Sequence, residues 1–102
     1  MIRGEYITGV DIVAYDSATE ETIASTEGRY FDFLYDRGYH VDFRQMWFAQ
    51  LIRIRDEIIK RFPPEKFKEE VSREYITEAL DFIKKCLRYA GKTGRPVSFS
   101  IG

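Results

Sequence analysis

The chain has 102 residues, which bounds it to one domain, and a 44% hydrophobic content sufficient for a core. Its 16 basic and 17 acidic residues leave a formal net charge of −1, so it carries no global electrostatic footprint for nucleic acid. The single cysteine, Cys86, rules out an internal disulfide, the start MIRGEYITGV lacks the apolar run of a signal peptide, and no apolar stretch approaches the roughly 20 residues of a membrane span, so the chain is expected to be soluble, intracellular and cytoplasmic.

Residues 5–15, EYITGVDIVAY, are rich in β-branched and aromatic side chains and read as a strand, with Gly9 marking a bulge or a close backbone approach. Asp16-Ser17 breaks it. Residues 18–26 admit two readings. Ser17 and Glu20 have capping-box spacing for a short helix, whereas the β-branched Thr22, Ile23 and Thr26 favour a strand pairing back on the first. The strand is the reading adopted.

Residues 30–43, YFDFLYDRGYHVDF, hold the densest aromatic cluster and the only histidine. Asp36-Arg37-Gly38 is a turn signal between two apolar runs, so the segment reads as a β-hairpin. Counting outward pairs Tyr35 with Tyr39, Phe33 with Val41 and Phe31 with Phe43 on one apolar face. Tyr30, Asp32, Leu34, His40 and Asp42 take the other.

A helix is expected next, from Asp42 to Arg61 or Phe62. Asp42 and Gln45 have capping-box spacing, and Val41 with Met46 has that of a hydrophobic staple. Trp47, Leu51, Ile54 and Ile58 form an apolar stripe that Phe48, Ile52 and Ile59 widen. Phe62-Pro63-Pro64 ends it. Pro64 is then a natural first residue for a second helix running to about residue 90, with Gly91 as its C-cap. At 1.5 Å per residue it would be about 40 Å long, so it either breaks near Ser72 or overhangs to pack on a second subunit. Last, Val97, Phe99 and Ile101 alternate with Ser98 and Ser100 as a half-buried edge strand. The fold class expected is α+β: an antiparallel or mixed sheet of four to five strands with two amphipathic helices on one face.

Three places could carry function. Asp32, His40 and Asp42 share the polar face of the expected hairpin, and two carboxylates with an imidazole suit a divalent ion or an acid–base pair. They follow no ligand-spacing motif, and Asp42 is wanted as a helix cap. No metal and no cofactor is therefore assigned. Lys84, Lys85, Arg88, Lys92 and Arg95, close to Tyr89, form a basic cluster able to follow a nucleic-acid backbone. Gly91-Lys92-Thr93 lacks the upstream glycine of a phosphate-binding loop, since Cys86 stands there, and Cys86 on an apolar helix face reads as core. The third place is the aromatic content, 16% of the chain. Surplus apolar surface on a small domain marks an interface, which points to Tyr35, Tyr39, Trp47, Phe48, Tyr75, Val97 and Phe99 as contact residues.

The function expected is thus a non-enzymatic protein–protein or peptide interaction module, homodimeric or binding another protein. A nucleic-acid-associated regulator and a small metal-dependent enzyme are the alternatives. The chain has no Asn and only two Gln beside many Arg, Glu and Ile. That amide-poor, charge-rich bias suggests a thermophilic source.

Overall fold

The computed structural model of the protein describes residues 9–102. The described residues form two antiparallel strands, β1 (Asp11–Asp16) and β2 (Thr22–Glu27), then three helices, α1 (Gly28–Asp36), α2 (Phe48–Arg61) and α3 (Glu70–Thr93), and a final strand β3 (Val97–Ile101). β1 is central, in the order β2-β1-β3, and pairs antiparallel with both neighbours. The α+β class holds. Among the described residues the sheet has three strands rather than four or five, and there are three α-helices rather than two. Residues 5–8 of the expected first strand lie outside the described residues.

Alternation along β1 decides the layering. Ile12, Ala14 and Asp16 are fully buried on the face that meets the helices, and the register sets Ala14 opposite Phe99 and Asp16 opposite Val97 on that same face. Val13 and Tyr15 point the other way and are only half-buried. A bulge between Ala14 and Tyr15, not at Gly9, adjusts the pairing with β2.

The largest correction concerns residues 30–43, which are not a hairpin. Gly28–Asp36 is helical, and residues 37–47 run on without a strand. Tyr30, Phe31 and Leu34 are buried at helical spacing, which overrides the β-propensity of the aromatics. The turn signal itself was real. Gly38 does adopt a left-handed φ of 94°, but as the residue after a helix C-cap. Tyr39 N–H donates to the Leu34 carbonyl (3.0 Å) and Gly38 N–H to that of Tyr35 (3.0 Å), the paired bonds of a Schellman motif. Hairpin loops and helix ends both need a left-handed glycine, so the local sequence does not tell them apart.

α2 begins five residues later than expected, with Trp47 rather than Asp42 as its N-cap and Phe48 as its first residue. Met46 and Val97 exchange two backbone bonds (2.8 and 2.9 Å), and this bridge at the β3 edge holds the preceding chain extended. The reciprocal half of the cap comes from Gln50, whose Oε1 accepts the Trp47 N–H (2.9 Å). The helix ends at Arg61, as its Phe-Pro-Pro sequence dictates. Residues 64–66 form only a short 3₁₀ turn, so the expected long helix starts at Glu70 and ends at Thr93, with left-handed Gly94 (φ 72°) as its C-cap in place of Gly91. Its 24 residues span about 36 Å, close to the 39 Å longest dimension of the molecule.

α3 is the spine of the core. Ala79, Phe82, Ile83, Cys86 and Ala90 are buried along it, and it packs against α1, α2 and β2. Phe31, Phe43, Phe82 and Phe99 close into one aromatic cluster with ring centroids 4.9–6.4 Å apart, mostly edge to face. Tyr30, Phe33, Phe62, Phe67 and Tyr75 continue it past α1 and the α2–α3 connection. Much of the aromatic content is therefore spent inside. No helix among the described residues is long and apolar enough to cross a membrane.

Candidate functional site

The fold separates the residues of the expected polar face. Asp32 is buried within α1, His40 lies exposed in the following loop with its ring edge-on to Tyr35 (5.3 Å), and Asp42 is exposed and ion-paired with Arg44. No group of three or more His, Cys, Asp or Glu side chains among the described residues is placed to hold a metal ion. A shallow cleft of ≈ 310 Å³ does lie between this loop and α2, lined by His40, Arg44, Gln50 and Arg53 among others.

The charged group with the most partners is one that motif reading passes over. Asp16, at the end of β1, is fully buried. Its Oδ1 accepts the Ala18 and Thr19 backbone N–H groups (2.8 and 3.2 Å), which shapes the turn into β2. Its Oδ2 accepts the Tyr89 hydroxyl (2.5 Å) and Arg95 Nε (2.8 Å). The Tyr89 hydrogen bond, then Arg95 and the two backbone donors, outweigh burial and hold the carboxyl far below the usual carboxylate range. The same bond raises the Tyr89 phenol. This cluster ties the β1–β2 turn to the end of α3 and the start of β3. It also removes Arg95 from the basic cluster. The only sequence trace of it was Asp16-Ser17 as a strand breaker.

Cys86 is fully buried and burial pushes its thiol up to about 12, so at neutral pH it is a protonated core side chain. Lys85, Arg88 and Lys92 are exposed along α3 and Lys84 is half-buried. Their face does not stay basic, since Glu74, Glu78 and Asp81 continue it toward the N-terminus of the helix.

The seven expected contact residues divide sharply. Val97 is fully buried and held by Met46, and Phe99 packs on Phe43 and Phe82. Tyr75 packs on Tyr30 and Phe33, Tyr39 on Phe62, and Tyr35 meets His40. Trp47 and Phe48 remain open, at 53% and 41% exposure. Ile59 is 50% exposed and Ile52 half-buried. Phe48, Ile52 and Ile59 recur at helical spacing, so together they make an apolar stripe along α2 with Trp47 at its head. The stripe runs on the side of α2 that reaches α3. A Cβ on Gly91 would come within 2.8 Å of the Phe48 ring, so glycine lets the ring lie against α3. Its excess width was legible in the sequence; which part of the arc the core would leave uncovered was not.

Comparison with protein-family models, with curated proteins and with solved structures gave no match for this chain.

Proposed function

We propose that the chain is a non-enzymatic protein–protein interaction module that associates with itself through the outer face of the α2–α3 layer. The observation that carries this reading is the apolar stripe of exposed Trp47, Phe48 and Ile59 with half-buried Ile52 between them, on a chain that buries or packs most of its other large apolar side chains and otherwise leaves Val71 and Ile101 open among the described residues. Exposed apolar surface held on a rigid helix marks an interaction site, and Trp is favoured where binding energy concentrates. A two-fold contact sets the same stripe on both sides of the interface, apolar against apolar. Two groups capable of chemistry have other employment: Asp16 is bound by four donors and Cys86 is sealed in the core.

Trp47 is the only tryptophan and reports directly on this surface. Its emission should move to the blue as concentration rises and the indole leaves water. In Ile59→Lys, which puts a charge into the stripe at a 50% exposed position, the emission should stay red at every concentration with the fold intact. Wild-type emission that does not depend on concentration, identical to that of Ile59→Lys, would contradict the proposal.

A further inference from the structure

The exposed face of α3 carries acids and bases in a self-complementary order. Reading along that face, Glu74, Glu78 and Asp81 are followed by Lys85, Arg88 and Lys92, all exposed and spaced three or four residues apart. The sign changes at the level of Ile83. Asp81 and Lys85 lie two residues either side of it, Glu78 and Arg88 five, Glu74 and Lys92 nine. Each of these three acids is thus mirrored by a base at the same distance from one midpoint, while Glu70, in the first turn, has no counterpart within the helix.

Two effects within a single chain account for only part of this arrangement. The helix dipole favours acids in the first turn and bases in the last, and it fades beyond those turns. Asp81 and Lys85 stand in the middle of the helix. Intrahelical pairing favours opposite charges three or four residues apart. Asp81 with Lys85 is such a pair, but Glu74 with Glu78, Glu78 with Asp81, Lys85 with Arg88 and Arg88 with Lys92 are like-charge neighbours at that spacing, and each of these four works against the isolated helix. Among the described residues none of these six side chains is in an ion pair within the chain.

We infer that two copies of this chain pack with their α3 helices antiparallel, related by a two-fold axis at the level of Ile83. Glu74 then faces Lys92 of the second copy, Glu78 faces Arg88, and Asp81 faces Lys85, each pair occurring twice by symmetry. The matched strip from Glu74 to Lys92 is about 27 Å long. The inference rests on the self-association proposed above and adds the surface and the orientation. The apolar stripe on α2 starts beside α3, where Phe48 lies on Gly91, the residue before Lys92. Apolar burial supplies affinity there, and the charge order excludes the parallel arrangement, in which acids would meet acids.

The test is a charge swap on the full-length chain, with the dimer dissociation constant measured by sedimentation in low and in high salt. Lys85→Glu sets a carboxylate against Asp81 of the other copy, twice, and should weaken the dimer by on the order of tenfold or more. Adding Asp81→Lys to that variant exchanges the two signs, recreates both cross-chain pairs and should restore most of the loss. High salt should weaken the wild-type dimer. A wild-type dimer indifferent to salt and to Lys85→Glu, or a double variant as weak as the single one, overturns the α3 register and leaves self-association through another surface standing. A wild-type monomer overturns both.

Discussion

Phe82→Ala is expected to cost the protein about 3–5 kcal/mol, the range for truncating a fully packed aromatic. Phe82 is 2% exposed and is the ring on which Phe31, Phe43 and Phe99 converge, at 6.0, 6.4 and 6.1 Å. These come from α1, from the irregular segment before α2 and from β3, so one ring joins three parts of the chain that are remote in sequence. Removing it leaves a cavity bordered by rigid rings that cannot collapse without moving α1 or β3. In a domain near this size each kcal/mol moves Tm by about 4–8 °C, so the variant should melt at least ~12 °C lower. Val71→Ala, at a 60% exposed position outside the α2 stripe, serves as the control and should change stability by no more than about 1 kcal/mol. Equal losses in the two variants would contradict the core described here.

Asp16→Asn should be the most damaging polar substitution, despite its identical shape. The amide oxygen can still accept from the Ala18 and Thr19 N–H groups. The new NH₂ group, however, occupies the place of Oδ2, where the Tyr89 hydroxyl and Arg95 Nε both donate. The new NH₂ and the Arg95 guanidinium then have only the Tyr89 oxygen to donate to, and the anionic acceptor of a fully buried side chain is gone. The pH dependence follows from the same bonds. Asp16 titrates well below its unfolded value of 3.8, so its contribution is complete above that pH and is lost as pH falls below it, through the depressed folded value. Tyr89, raised above 10.0 chiefly by its bond to Asp16, contributes below that pH, and this part is lost as pH rises through the elevated folded value. Urea midpoints across pH should show both limbs in the wild type. Asp16→Asn should flatten the acid limb, and Tyr89→Phe the alkaline one. Acid sensitivity unchanged in Asp16→Asn would show that other carboxylates govern it.

Both variants act at places where sequence and structure part company in an instructive way. The strand 97–101 was legible because alternating Val97, Phe99 and Ile101 admit one period only. The break at Phe62-Pro63-Pro64 was legible because proline acts through local sterics. The local pattern misleads at residues 30–43 because the deciding partners, Phe82 on α3 and Phe99 on β3, lie 39 to 69 residues further along the chain. Period-two and helical readings of YFDFLYD both give apolar faces, and Gly38 ends either element. The start of α2 was misplaced for a similar reason, since Asp42 offers a good cap in isolation while the Met46–Val97 bridge holds the chain extended past it. For the candidate surface, composition disclosed a surplus of aromatics but not their destination. Tyr75, Val97 and Phe99 go into the packing, and Ile59, which widens the apolar stripe in sequence, comes out to solvent. The charge order along α3 is written in the sequence. It takes meaning only once the helix is known to run unbroken from Glu70 to Thr93 with that face outward.

Self-association through the α2–α3 face is the claim on which the functional reading depends. Molar mass by light scattering, followed from dilute to concentrated solution, addresses it most directly. The result expected is a mass that rises from that of the 12.1 kDa chain to twice that value and stops, as a closed two-fold contact requires. A mass of one chain at every concentration would contradict it, and the stripe of Trp47, Phe48, Ile52 and Ile59 would then belong to a partner other than this chain.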